Sequence, residues 1–174
     1  MMKIIDASSL INISDSIIIS LGSNMGDRLA YLQQAQSELS QYFQIESASP
    51  IVESKAVDYK NQNDFLNQIL EVKLKPEFAK LSLLEIMQTL LGIEKKMLRV
   101  RDQNKGPRTI DLDIIMVEDY QVNHPQLQLP HPSYHLRDFI VSPLKELPFF
   151  QRIRKCVKIN PTQDSKCWLY QNKK

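Results

Sequence analysis

The stretch "KGPRTIDLDIIM" (105–116) sets two aspartates, Asp111 and Asp113, inside the most strand-like apolar run of the chain. Residues two apart in a strand leave the same face, so these carboxylates start roughly 6–7 Å apart at the backbone. Ile110, Leu112 and Ile114 then take the opposite, core face. Charges at that spacing repel by roughly 2–3 kcal/mol at an effective dielectric near 20. A cation between them removes the cost, and hard oxygen ligands on one face suit magnesium, which keeps waters and accepts phosphate oxygens as further ligands. Taken by itself, the spacing favours a plainer alternative, the solvated outer face of an edge strand.

The neighbours shift that balance. Arg99, Arg101, Lys105 and Arg108 flank the acids on their N-terminal side. Guanidinium groups grip phosphate in fork geometry, and a metal beside them is the arrangement that neutralises a transferring phosphoryl group. Gly106 and Pro107 set a turn just before Arg108. Strand parity puts Arg108 opposite the acids, although it precedes the regular strand. A basic loop alone reads as solvated surface; joined to the acids it reads as a polyphosphate site.

A second cluster is Phe65 and Asn67, on one face of "DFLNQILEVKL" (64–74). An aromatic ring and an amide suit a flat heterocycle, by stacking and by a donor/acceptor pair. Packing of Phe65 under a helix is an equal alternative. Phe139, two residues after Arg137, is a weaker candidate for the other half of a stack. His131 stands between Pro130 and Pro132; a lone loop histidine is ordinarily surface decoration, and the rigid frame with Arg137 nearby opens a phosphate or nucleotide contact as the alternative. Glu94 reads either as a helix-surface acid or as a nucleotide contact.

These residues need elements to carry them. "SIIISL" (16–21) predicts a buried strand, and "GSNMGD" a loop opening into a helix with Leu29, Leu32, Ala35 and Leu39 at helical spacing. A strand is expected around 47–54. In 64–74 the residues Leu66, Leu70, Val72 and Leu74 share one face, with Phe65, Asn67 and Ile69 on the other. A long amphipathic helix is expected over 77–97, a strand over 108–118 and a short helix over 139–147. The order β-α-β-β-α-β predicts an α+β sandwich with a mostly antiparallel sheet. The glycines of the first loop, Gly22 and Gly26, do not make G-x-G-x-x-G, and no GxxxxGK[ST] exists, so a bound triphosphate is held without a P-loop.

Composition sets the frame. The chain has 174 residues and 43% apolar content, enough for one domain with a real core. Its net charge of +2 is too mild to imply nucleic-acid or membrane binding by bulk charge. Cys156 and Cys167 lack metal-like spacing and fit a reducing, cytoplasmic setting. Residues 1–15 read as an extra strand or a loose arm, not a signal peptide, and no apolar run approaches the length of a membrane span.

With these residues assembled, "KGPRTIDLDIIM" resembles the signature of the 6-hydroxymethyl-7,8-dihydropterin pyrophosphokinase family. Three further stretches agree in order: "LGSNMGDR", "NDFLNQILEV" and "LPHPSYHLRDFIVSPLKELP", together covering roughly residues 16–150. The resemblance implies a ferredoxin-like fold, with a domain over 16–150 and a tail over 151–174. It implies transfer of the pyrophosphoryl group of ATP to the pterin hydroxymethyl oxygen, with release of AMP, in folate biosynthesis. Asp111 and Asp113 match the family's ligands for two magnesium ions. Arg99, Arg101 and Arg108 match its loop and turn arginines, with Arg99, Arg108 and Asp113 the catalytic candidates. Glu94, His131 and Arg137 match ATP contacts. Ser54, Lys55, Val57, Phe65, Asn67 and Phe139 match the pterin site. The expected state is a monomer, with association with other folate-pathway enzymes left open.

Four departures stand out: the short "DQNK" loop, Lys105 in place of an aromatic, Pro132 in place of a tyrosine, and Lys55 in place of a proline. They bear on loop closure and affinity more than on the chemistry. Two other readings use the same residues, a nucleic-acid-binding module and a catalytically silent nucleotide sensor. The first lacks the paired aromatic strand motifs of such modules and puts two acids where phosphates would lie. AMP formation from ATP and the pterin alcohol separates the second.

Overall fold

A computed structural model describes residues 1–57, 62–97, 107–162 and 165–171. Its frame is a six-stranded sheet, five of whose strands run in the order β6-β2-β5-β4-β9 while β3 also pairs with β5; every pairing in it is antiparallel. The strands are β2 (Ile17–Ser23), β3 (Phe43–Ala48), β4 (Val52–Ser54), β5 (Phe65–Leu74), β6 (Asp111–Val117) and β9 (Cys167–Leu169). Outside this sheet, β1 (Lys3–Ile4), β7 (Tyr120–His124) and β8 (Leu127–Leu129) form a three-stranded sheet, with β1 parallel to β7.

The strand faces divide as the alternation requires. Leu66, Leu70, Val72 and Leu74 of β5 join Ile17, Ile19 and Leu21 of β2 and Leu112 and Ile114 of β6 in one core, against α1 (Arg28–Leu39) and α2 (Leu83–Lys96). Ile18, Ile69 and Ile115 face the other way and pack against α3 (Asp138–Lys145) and α4 (Pro148–Ile153). This second core occupies only part of its face. The rest carries Ser20, Gly22, Phe65, Asn67, Asp111 and Asp113, and these build the site.

Expected and observed bounds differ most at two elements. The helix expected over 77–97 starts only at Leu83, because Pro76–Phe78 forms a short 3-10 turn and Ser82 caps the helix. Ser82 Oγ accepts from Glu85 N at 3.3 Å while Glu85 Oε2 accepts from Ser82 N at 2.8 Å, a reciprocal capping box. The strand expected around 47–54 is two strands, since Pro50 has no N–H to give the ladder and chain pairing with β5 breaks there. Ser49 repairs the gap: its carbonyl takes the Gln68 amide at 2.9 Å and its hydroxyl takes Ile69 N at 3.0 Å. Asp27, as expected, heads α1 and accepts from Ala30 N at 3.0 Å. Among the described residues no helix is long and apolar enough to cross a membrane.

Candidate active site

Register places the site residues in rows across three strands. Gly22 of β2 sits between Asn67 of β5 and Asp111 of β6, and Ser20 pairs with Asp113. Asp111 and Asp113 therefore share a face, as strand parity requires, and Ile110, Leu112 and Ile114 are buried on the other. Gly22 leaves the floor between these side chains without a side chain of its own. A Cβ there would stand 3.4 Å from Asn67 Oδ1, 3.7 Å from the Phe65 ring and 3.9 Å from Asp111 Cβ. Gly26 has another reason to be glycine: its φ of +54° is left-handed, in the turn that starts α1.

Two cavities meet on the acids. The first is a narrow slot of about 90 Å³ that gathers all six residues expected on the pterin side: Ser54, Lys55, Val57, Phe65, Asn67 and Phe139. Asn67 is buried and its amide donates to Ser54 Oγ at 3.0 Å, which fixes its orientation across the slot. Arg137 lies 5.9 Å from the centre of the Phe139 ring and brings a cation to the opposite wall. The second is a groove of about 690 Å³ lined by Glu94, His131, Pro132 and residues of α2 and β8. Arg108, Asp111 and Asp113 line both cavities.

Arg108 departs from simple parity. Because it lies before β6 begins, its guanidinium turns back and forms an ion pair with Asp111, on the side of the acids. Asn24 holds it there: Asn24 Oδ1 accepts from Arg108 N at 2.7 Å, and Asn24 N donates to Arg108 O at 3.1 Å. The same amide donates to Gln62 Oε1 at 3.0 Å and Asn63 O at 3.1 Å, tying the turn to the loop before β5. Arg99, Arg101 and Lys105 lie outside the described residues.

Electrostatics mark Asp113. Burial, then the charges of Asp111 and Glu94, push its carboxyl up to about 7, and Arg137 and Arg108 offset this only in part. A hard divalent cation fits such a donor set, since it favours ionised oxygens and relieves their repulsion. Among the described residues no three His, Cys, Asp or Glu side chains form a ready-made cage. Two strand carboxylates suit a cation that completes its shell with water and phosphate. Glu94 is buried and accepts from Leu112 N at 2.8 Å, so it joins α2 to the strand of the acids. His131 is held down by burial, then by the Arg137 charge, and is a neutral imidazole at pH 7. Its Nδ1 accepts from Ser133 N at 3.2 Å, which puts the proton on Nε2.

The comparisons bear on these shapes. Residues 18–148 match the model of the 7,8-dihydro-6-hydroxymethylpterin-pyrophosphokinase family. The chain belongs to this family. It is 38% identical over 134 residues to the 2-amino-4-hydroxy-6-hydroxymethyldihydropteridine pyrophosphokinase of Aquifex aeolicus, covering 76% of this chain and 79% of that one. It is 37% identical over 131 residues to the Bacillus subtilis enzyme of the same name, covering 74% of this chain and 75% of that one. A crystal structure of Plasmodium falciparum HPPK-DHPS A437G aligns with 91% of this chain and 45% of its own length, at a TM-score of 0.60 and 14% identity. That likeness concerns the fold, which is ferredoxin-like. The family makes the chain an ATP-dependent pyrophosphokinase of folate biosynthesis.

Set beside the family's expected residues, the slot adds four that sequence reasoning missed. Ser20 and Gly22 form the slot floor, Gln62 its rim, and Ile140 its α3 side. Parity along β2 could have found the first two, because Ser20 and Gly22 alternate with Ile19 and Leu21. Gln62, in an irregular loop, gave no such signal.

Proposed function

We propose that the slot binds the dihydropterin and the groove binds ATP, with the hydroxymethyl group and the β-phosphorus meeting over Asp111 and Asp113. The observation that carries this reading is the sharing of Arg108, Asp111 and Asp113 by two cavities of unlike shape. A narrow slot with a ring on its floor side, an amide and a second ring suits a flat heterocycle. An open groove with a neutral histidine donor suits a nucleotide.

Asp111 and Asp113 are the residues that would hold magnesium, two ions by the family resemblance, and when bound these supply charge neutralisation on the phosphates. The chain's own side chains do the rest. Phe65 and Phe139 hold the pterin plane, Asn67 reads its polar edge, and Ser54, Lys55 and Val57 line the rim. Glu94 and His131 serve the nucleotide side, and Arg137, which lines the slot beside the acids and not the groove, is assigned to ATP by the resemblance. Arg108 lies where charge builds on the phosphoryl oxygens, and Arg99 and Arg101 are assigned the same task by the resemblance. The hydroxymethyl oxygen forms a bond to the β-phosphorus, and the bond from that phosphorus to the α–β bridging oxygen breaks, so AMP leaves with the bridging oxygen. Asp113, which lines both cavities, is assigned the proton of the attacking hydroxyl.

Residues 16–150 are assigned to the catalytic domain, with 1–15 and 151–174 extending it, and the enzyme is assigned as a cytoplasmic monomer. The test of the central reading is AMP release from ATP and 6-hydroxymethyl-7,8-dihydropterin, with and without magnesium. AMP release that requires both the pterin and the metal supports it, and release indifferent to the pterin overturns it.

A further inference from the structure

The chain beyond α4 is bonded to both walls of the slot. It runs first beside the segment that leads into α3: Lys158 N donates to the Tyr134 hydroxyl at 3.1 Å, Asn160 N to His135 O at 2.8 Å, and Thr162 N to Leu136 O at 2.9 Å. At Ser165, which is 1% exposed, the two segments lock. Its hydroxyl oxygen accepts from Asp138 N at 2.9 Å, and its proton is within reach of Leu136 O at 3.0 Å and Thr162 O at 2.8 Å.

The bond at Asp138 N answers a need of α3. The helix is preceded by Arg137 and has no side-chain cap of its own, which leaves first-turn N–H groups without an intrahelical partner. Ser165 supplies a cap from a distant part of the chain. Asp138 returns the contact. Its Oδ2 accepts from Cys167 N at 3.2 Å and from Cys167 Sγ at 3.4 Å, while Oδ1 takes the Ser142 hydroxyl at 2.6 Å. Burial, then the Asp138 charge, pushes the Cys167 thiol up to about 12, so it stays a protonated donor.

Two residues later the same chain is a strand. β9 pairs with β4 in the register Ser54↔Cys167, Glu53↔Trp168 and Val52↔Leu169. Trp168 Nε1 also donates to Glu53 Oε2 at 3.2 Å, and the other Glu53 oxygen accepts from Arg28 at 2.6 Å. Cys167 is the crossing point, with Ser54 as its strand partner and Asp138 as the partner of its N–H. Ser54 lines one wall of the slot, and Phe139, next to Asp138, lines the other. Ser165–Leu169 itself lies beyond residues 18–148, the part that matches the family, while the groups it holds lie within that part.

We propose that Ser165–Leu169 is a strap that sets the width of the pterin slot, with Ser165 and Cys167 as positioning residues that act on Phe139 through Asp138. This rests on the assignment of the slot to the pterin. Preorganised walls lower the cost of ordering a stack around the ring, so loosening the strap weakens pterin capture and leaves the ATP groove as it was.

The test uses the full-length enzyme with Ser165→Ala, Cys167→Pro and Asp138→Ala, and Asn67→Ala as the slot control. Trp168, the chain's single tryptophan, reports strap docking by its quenching with acrylamide. The expected result is stronger quenching, a KM for the pterin raised about fivefold or more, and a KM for ATP changed by less than about twofold. Cys167→Ser, which keeps the N–H, restores the pterin KM. An unchanged pterin KM in both Cys167→Pro and Asp138→Ala overturns the proposal, as does an equal rise in both KM values, which is general loosening. Quenching that no variant increases also overturns it, because these bonds then do not hold the strap. If Asn67→Ala leaves the pterin KM unchanged, the slot assignment itself falls and the strap with it. If Asn67→Ala raises it and the strap variants do not, only the strap falls.

Discussion

The slot and the groove share three side chains and little else. The slot measures about 90 Å³; its floor and one wall are strand residues whose neighbours fix them in register, and Phe139 and Ile140 of α3 close the other wall. The groove measures about 690 Å³ and is walled by α2, β8 and the His131 segment. A pocket built on paired strands holds its side chains to a narrow range of positions, which suits selection of one flat ring. A groove between elements from different parts of the chain accommodates a longer and more flexible ligand. On the proposed assignment the contrast separates the specificity for the two substrates, and it can be broken by experiment.

The largest effect belongs to the shared acids. Asp111→Ala and Asp113→Ala should each lower AMP formation by about a thousandfold or more at saturating levels of both substrates, because they act where the two cavities meet. A steady-state assay across a magnesium titration measures this. A variant with near-normal turnover would return the pair to a solvated strand face.

Next come variants that should separate the cavities. Asn67→Ala should raise the KM for the pterin by about tenfold to a hundredfold and leave that for ATP unchanged. His131→Ala should do the reverse, by about tenfold on the ATP side, through loss of a neutral donor. Crossed effects, with each substitution disturbing the other substrate, would mean the cavities are one site. Gly22→Ala sharpens the same comparison with a smaller change. The added methyl makes only ordinary contacts with Asn67, Phe65 and Asp111, so the fold holds. It takes up space on the slot floor, and a pterin KM about tenfold higher with unaltered ATP binding is expected.

What was legible in the sequence follows the same division. Regular strands announce their faces, so Asp111 with Asp113, and Phe65 with Asn67, were readable from alternation alone. Arg108 was not, because its position comes from a turn and from Asn24, and parity has no force outside the strand. The β9 pairing was invisible for another reason. Three residues show no periodicity, and their partner β4 lies more than a hundred positions earlier, so nothing local records the contact. The start of α2 was within reach, since Ser82 and Glu85 spell a capping box that the apolar pattern of 77–97 overrode. The break at Pro50 was likewise written in the chain, but an apolar–polar run on both sides disguised it.

The smallest effect on catalysis should come from the far end of the strand that carries the slot. β5 presents Phe65 and Asn67 at one end and Glu71 at the other, on the same face. Glu71 is buried, and its carboxylate accepts from Ser16 Oγ at 2.8 Å, Arg152 Nη2 at 2.9 Å and Ser47 Oγ at 3.1 Å, which pins α4 to the sheet. Burial raises its pKa, but the bonds to Arg152 and Ser16, the Arg152 charge and the Ser47 bond together outweigh it and hold the group below its ordinary 4.5. A carboxylate depressed in the folded state contributes stability above its unfolded pKa, and that contribution is lost as pH falls through the folded value. Glu71→Gln should therefore cost about 1–3 kcal/mol at pH 7, where a charged acceptor with three donors is replaced by a neutral amide. The gap to the parent enzyme should close as the pH drops below the carboxylate range. Urea unfolding at neutral and acidic pH measures both, and a gap that persists in acid would show that packing, not charge, anchors α4. Both KM values should stay near those of the parent, since three residues of paired strand separate this anchor from Asn67 and the slot is held from its other walls.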